Sequence, residues 1–373
     1  MRFLRLRVPG KAMLFGEYGA LQGGTVAAVA CGSVFFEIEV TLDTSILPGV
    51  CIIESTFFDS GTLLLDLNQI NFQVSEIPTQ HSFFSSIIHP WKKEIVGLKS
   101  GIRIHILKSF CPSLGLGSSS AILAAAHFAF SNLILGNTFC IDFKKLNGHK
   151  TFTIENSFWI KAMQSLHLMQ GKGSGYDVAV QLASLQIIDS ADGNVSQSLE
   201  YFGDLLFNYR SINNSNNLNK SDEKYFVSPD LKLIPFSTLR KTDLLKKTPM
   251  GFLLGSGIYS STTQALKSHK TAAFLNSNSQ LAADFFEGKR PLCELMAESR
   301  QLSLAAGLWG SGESSYYQLA LQLEENGIHF KTMGAGHGDC FWIAENPERL
   351  RGLNHVITGR PLIDSVVHVF NII

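Results

Sequence analysis

Residues 112–126 read P-S-L-G-L-G-S-S-S-A-I-L-A-A-A, and their order, glycine then hydroxyl then helix former, decides how the rest of the chain is read. Gly115 and Gly117 flank Leu116, and Ser118, Ser119 and Ser120 follow before the alanines begin. Glycine lets a backbone approach a ligand closely, and a helix start presents unpaired N–H groups at the positive end of its dipole. Such a loop suits an anion, most often a phosphate. A glycine turn leading into a serine-capped helix that binds nothing fits the same letters.

Composition bounds what the loop could serve. The chain has 373 residues, 45% of them hydrophobic and 17% charged, enough for a large core and, by length, two domains. Thirty-one basic residues balance thirty-one acidic ones, so no global field draws nucleic acid or an anionic membrane, and anion binding must be local. The six cysteines form no C-x-x-C pair, which argues against a zinc site or a disulfide framework and for a reducing compartment. The first eleven residues alternate Arg with apolar residues and lack the apolar run of a signal peptide. Residues 121–135 are interrupted by His127, Ser131 and Asn132 and are too short to span a bilayer. A cytoplasmic protein without membrane or nucleic-acid partners is expected.

Outward from the loop, residues 3–8 alternate like a half-buried strand that stops at a Pro9-Gly10 turn. Lys11 and Glu17 then bracket the apolar run 12–15, either because both ends reach a polar cleft or as two ordinary surface charges. Residues 35–42, 50–55, 62–67 and 102–107 read as strands, and the last leads into the glycine loop. Helices are expected over 119–135, ended by Gly136-Asn137, and over 153–169, ended by Gly171. The stretch 170–181, Q-G-K-G-S-G-Y-D-V-A-V-Q, is the second informative place. Asp177 stands there at a helix start, as a simple first-turn charge or as a carboxylate able to take or orient a proton. Residues 208–224 are polar and Asn-rich and read as an exposed loop or a seam between domains. A strand from Gly251, a capped helix near Ser261-Thr262 and helices over 281–286, 291–306 and 314–325 follow. The last glycine-rich stretch, M-G-A-G-H-G-D-C at 333–340, precedes the strand-like 341–344 and serves a ligand or a close backbone contact.

Three glycine-rich stretches in this order, with Lys11 and Asp177, resemble the superfamily of galacto-, homoserine, mevalonate and phosphomevalonate kinases, the GHMP kinases. The first motif resembles P-G-K-A-M-L-F-G-E-Y-G-A-L at 9–21, the second G-L-G-S-S-S-A at 115–121, and the third G-A-G-H-G-D-C at 334–340. Within the superfamily, G-K-G-S-G-Y-D-V-A at 171–179 is similar to the G-K-x-G-S-G-F-D-V-A element of phosphomevalonate kinases. The chain departs from the pattern at Ser120 and His337, and its Lys172 loop is one residue shorter. None of these changes removes a charged group that the chemistry needs.

The resemblance implies an α/β (α+β) chain in two domains, an N-terminal ribosomal protein S5 domain 2-like unit over 1–190 and a C-terminal ferredoxin-like unit over 191–373. It implies ATP and Mg2+ as cofactors, with the nucleotide phosphates over Gly115, Leu116, Gly117, Ser118, Ser119 and Ser120, and Ser119 the protein ligand of the metal. Lys11 and Asp177 are then the catalytic pair. Glu17, Tyr18, Lys172, Ser174, Gly175, Gly336 and Asp339 are placed around the acceptor, phosphomevalonate or mevalonate, and a homodimer is compatible with the scheme. A non-catalytic relative that keeps only ATP binding is the competing class.

Overall fold

The computed structural model of the chain describes residues 2–56, 61–69, 79–136, 141–146, 149–171, 173–190, 205–210, 230–234, 251–255, 272–333, 340–345, 347–353 and 366–370. Strand β1 covers Arg2–Phe15, β2 Thr25–Asp43, β3 Val50–Glu54, β4 Thr62–Asp66 and β5 Gly101–Lys108. The expected turn at Pro9-Gly10 is not made, and β1 runs straight through it. Pro9 lies opposite Phe35 but Gly10 lies opposite Cys31, so the three residues 32–34 of β2 absorb the irregularity. A proline at such a bulge gives up no ladder bond that the strand needs.

Three further strands, β6 (Ile141–Leu146), β7 (His149–Ile154) and β8 (Gln186–Ser190), join this sheet. So do β9 (Leu205–Arg210) and β10 (Asp230–Ile234), both beyond residue 190. Their order is β4-β3-β5-β2-β9-β10-β7-β6, with β1 pairing β2 and β8. Among the described strands, only β3 and β5 pair in parallel. Residues 208–210, expected in a loop, are part of β9 because Asn208 pairs with Ala27 and Lys232, and Tyr209 is buried. The remainder of that Asn-rich stretch, and the expected helix at Ser261-Thr262, lie outside the described residues.

The long β2 changes character halfway. Its first half, T-V-A-A-V-A-C, is buried almost throughout, whereas its second half alternates buried Phe36, Ile38 and Val40 with half-buried Glu37 and Glu39. After α1 (Thr79–Ile88) and α2 (Lys92–Val96), the helices that pack on β2 are α3 (Ser118–Leu135), α5 (Tyr176–Ser184) and α6 (Ala272–Glu287). Helix α3 is apolar on every side. It is long and apolar enough to cross a membrane by composition, but 72% of it is buried inside the fold, as a core helix is.

Helix α4 (Asn156–Gln170) starts three residues later than its periodicity suggests, because Thr153 and Ile154 pair with β6. Between α3 and α4, Trp91 Nε1 donates to His127 Nδ1 (2.8 Å), His127 Nε2 meets Ser165 Oγ (2.9 Å), and that hydroxyl donates to Ile87 O (3.2 Å). Burial, and then the charge of Lys161, pushes His127 down to about 3, so the ring is neutral. Each of its polar atoms has a partner.

A second, four-stranded antiparallel sheet has the order β12-β13-β11-β14, from β11 (Gly251–Gly255), β12 (Phe330–Thr332), β13 (Cys340–Ala344) and β14 (Val366–Phe370). Helices α7 (Leu292–Ala305) and α8 (Ser315–Glu325, capped by Ser314) accompany it, and Trp309, Tyr316, Leu319, Phe330 and Phe341 form its core. The sheets meet where β1 ends. Phe15 lies 5.2 Å from Phe285 of α6 and 5.5 Å from Trp342 of β13, ring centroid to centroid.

Candidate active site

The bulge in β1 and β2 is where the glycine loop docks. Lys11 N–H donates to Leu116 O at 2.9 Å, and Gly10 leaves room for the contact, since a Cβ there would lie 3.3 Å from Leu116 Cβ. Gly115 and Gly117 both adopt positive φ, 66° and 78°, and Gly117 is the N-cap of α3 with no side-chain cap. A Cβ on Gly117 would stand 2.7 Å from Lys11 Cε and 2.8 Å from Ser120 Oγ. Glycine is required there by backbone conformation and by the lysine stem packed against it.

The three serines are not equivalent. Ser120 is buried and its hydroxyl turns back to Gly117 O at 3.0 Å, whereas Ser118 is half-buried and Ser119 is exposed. The first bond that closes the helix runs from Ala121 N to Gly117 O. The N–H groups of Ser118, Ser119 and Ser120 precede it and are therefore unspent within the helix. Leu116 contributes its backbone and sends its side chain into the core.

Asp177 arrives from α5. Gly175, in the left-handed conformation, caps that helix, and a Cβ there would lie 2.6 Å from Met163 Sδ. Tyr209 Oη donates to Ser174 O and anchors the loop to β9. Asp177 Oδ2 is 3.5 Å from Lys11 Nζ, and the lysine side chain is only 7% exposed against 29% for the aspartate. Lys11 Nζ also donates to Tyr176 Oη at 2.6 Å and lies 4.8 Å from that ring's centroid. Burial, and then the Asp177 charge, pushes the Tyr176 phenol up from its ordinary value, so it holds its proton.

Gln181 is one turn beyond Asp177 and shows no exposed surface. Its amide donates to Pro9 O (3.1 Å) and to Gly117 O (3.0 Å). A single side chain on α5 thus joins the first motif to the second.

Glu17 and Tyr18 follow the C-terminal end of β1, where the charge of Lys11 still acts on the Glu17 carboxyl. Glu17 pairs directly with Lys331 of β12, and Lys331 Nζ also donates to Thr332 O at 2.8 Å. Burial pushes the Glu17 carboxyl up and the Lys331 ammonium down, each against the pull of the partner's charge. Tyr18 is the one non-glycine residue with positive φ (61°) among the described residues, and its ring packs on Phe274. Lys172, Gly336 and Asp339 lie outside the described residues. Lys11, Asp177 and the loop 115–120 are brought together, while Glu17 and Tyr18 face α6 and the second sheet.

Tyr176, Gln181 and Lys331 are the polar residues that the motif reading passed over. Each carried a signal: Gln181 is four residues from Asp177, on the same helix face, and Lys331 is the one charge in the short buried strand F-K-T. Tyr176 stands where the G-S-G-F-D-V-A element has phenylalanine.

The chain matches no family profile, and no curated protein sequence is significantly similar to it. Solved structures are similar over nearly its whole length. A mevalonate kinase superposes with a TM-score of 0.59 at 17% identity, covering 99% of this chain and 98% of its own. The Streptococcus pneumoniae phosphomevalonate kinase in complex with phosphomevalonate and AMPPNP gives 0.57 at 14% identity, with 99% of each chain covered. Lactococcus lactis galactokinase complexed with galactose gives 0.53 at 12% identity, over 91% of this chain and 85% of its own. Kinases of a sugar, an alcohol and a phosphate ester thus share one architecture with this chain, which has the mixed α/β fold of the GHMP kinases.

Proposed function

We propose that the protein is an ATP-dependent kinase of a small molecule, with phosphomevalonate as acceptor and diphosphomevalonate as product. The observation that carries the reading is Lys11 Nζ set 3.5 Å from Asp177 Oδ2, against Gly117 at the uncapped start of α3. Unspent amides at Ser118, Ser119 and Ser120 fit a phosphate-bearing nucleotide, and the exposed Ser119 hydroxyl fits Mg2+, which keeps several waters and needs few protein oxygens. Bound there, Mg·ATP supplies the phosphoryl group and part of its charge neutralisation.

The protein's own part is positioning and charge. Lys11 stabilises negative charge on the transferred group, and Asp177 orients or deprotonates the attacking oxygen. A phosphate monoester, with a second pKa of about 6, is already an adequate nucleophile near neutral pH. Helix α4, N-S-F-W-I-K-A-M-Q-S-L-H-L-M-Q, carries no carboxylate, which supports the phosphate acceptor over mevalonate, the runner-up, for which a glutamate ahead of the Asp loop would be expected. Lys172, Ser174, Gly175, Gly336 and Asp339 are assigned to the acceptor side, with Glu17 and Tyr18 supporting it. We place the seam between an N-terminal and a C-terminal unit after Ile234, because β9 and β10 belong to the first sheet.

ADP release by the purified protein, measured against phosphomevalonate, mevalonate, homoserine and galactose, tests this directly. Turnover is expected with phosphomevalonate. Turnover with mevalonate alone overturns the acceptor, and ATP binding without turnover on any of the four turns the reading to a non-catalytic relative.

A further inference from the structure

Lys11 has two neighbours in α5, and the nearer one is not the carboxylate. Its ammonium donates to Tyr176 Oη at 2.6 Å, while Asp177 Oδ2 stands 3.5 Å away. The Tyr176 side chain is held on every side. It begins α5, it is 8% exposed, and its ring meets that of Tyr209 at 6.3 Å in an edge-on contact. Tyr209 in turn holds Ser174 O through its own hydroxyl. The Tyr176 oxygen is therefore a fixed point, whereas Lys11 ends a flexible four-carbon stem.

Without that fixed point, an ammonium beside an aspartate in a poorly hydrated cleft closes on it. Coulomb attraction rises by about a quarter as the gap shortens from 3.5 Å to about 2.8 Å, and more strongly as the surroundings become less polar. A closed pair would serve both roles less well, since Lys11 would turn from a phosphoryl group and Asp177 would commit one of its two oxygens.

We propose that Tyr176 is a positioning residue for Lys11, its buried hydroxyl holding the ammonium between the start of α3 and Asp177 and keeping the Lys11–Asp177 pair open. The effect on rate rests on the kinase reading above; the effect on Lys11 does not.

Tyr176→Phe removes one oxygen and keeps the ring, and phenylalanine is the residue of the similar G-S-G-F-D-V-A element. The variant is expected to fold, with a melting temperature within a few degrees of the parent. A hydrogen bond to a charged group is lost, so kcat should fall about 10- to 100-fold, while KM for ATP changes by less than about twofold. A purely structural role would leave kcat intact in the folded fraction, and a twofold or smaller change in kcat overturns the proposal.

A second measurement works without turnover. In protein labelled with 15N at lysine Nζ, the Lys11 ammonium signal, assigned by its absence in Lys11→Arg, should shift in Tyr176→Phe while surface lysine signals stay in place. A Lys11 signal that does not move overturns the proposal whatever the rate does. If the parent protein turns over no acceptor but the Lys11 signal shifts as expected, the kinase reading fails and the positioning role stands.

Discussion

Two buried lysines, Lys11 within β1 and Lys331 against the glutamate just beyond that strand's C-terminal end, are treated in opposite ways. Lys331, 1% exposed at its side chain, is closed directly onto Glu17, with Thr332 O as a further acceptor. Lys11, almost as deeply set, is held by a neutral hydroxyl and stands 3.5 Å from a carboxylate that keeps 29% of its surface open. A closed pair spends its charges chiefly on each other, here through Glu17 Oε1, while Glu17 Oε2 is buried without a hydrogen-bond partner among the described residues. An open pair leaves the carboxylate accessible, which is how a site retains electrostatic work for a reacting group. His127 completes the series as a buried base with neutral partners only, kept uncharged by its surroundings.

The comparison breaks most visibly at the closed pair. Lys331→Met strands the Glu17 carboxyl, and removing one partner of a buried pair costs about 3–5 kcal/mol. Chemical denaturation should show that loss and its substantial recovery in Glu17→Gln/Lys331→Met; no recovery would mean that the two side chains are not coupled. Lys11→Ala should do the reverse. Its stability should change little beyond the lost packing, while kcat falls about 10²- to 10³-fold, as when a group stabilising transition-state charge is removed. An unchanged rate on the accepted substrate would take Lys11 out of the chemistry.

The smallest effect is expected from His127, and only in acid. Its folded pKa lies below its unfolded value of 6.5, so between about 3 and 6.5 the unfolded chain binds more protons. The stabilisation is fully present above pH 6.5 and is lost as pH falls, by about 1.4 kcal/mol per unit. Unfolding free energies of the parent and His127→Asn at pH 7 and pH 5 check this. The parent should lose about 2 kcal/mol more than the variant between the two, and parallel losses would show that His127 is not the titrating group.

Much of the site was legible because its signals are local. Gly115 and Gly117 announce positive φ, the serines announce a helix start, and Asp177 announces the first turn of α5; each rests on a few adjacent residues. The strand through Pro9-Gly10 was not legible, since the feature that straightens it is an excess of three residues in β2. Neither were the fasteners. Tyr176 finds Lys11 across 165 residues, Gln181 finds Pro9 across 172, and Lys331 finds Glu17 across 314. Spacing rules speak only within one element.

The continuity of β1 has a mechanical consequence. Lys11 and Glu17 lie six residues apart in sequence, and β1 is hydrogen-bonded to β2 up to Phe15 before Gly16 turns the chain at positive φ (97°). A strand braced in this way resists bending and transmits load along its axis. The second sheet grips Glu17 just past the C-terminal end of this strut, and the strut bears the ammonium four residues before that end. A shift of that sheet along the strut therefore moves Lys11 against the loop at Gly117.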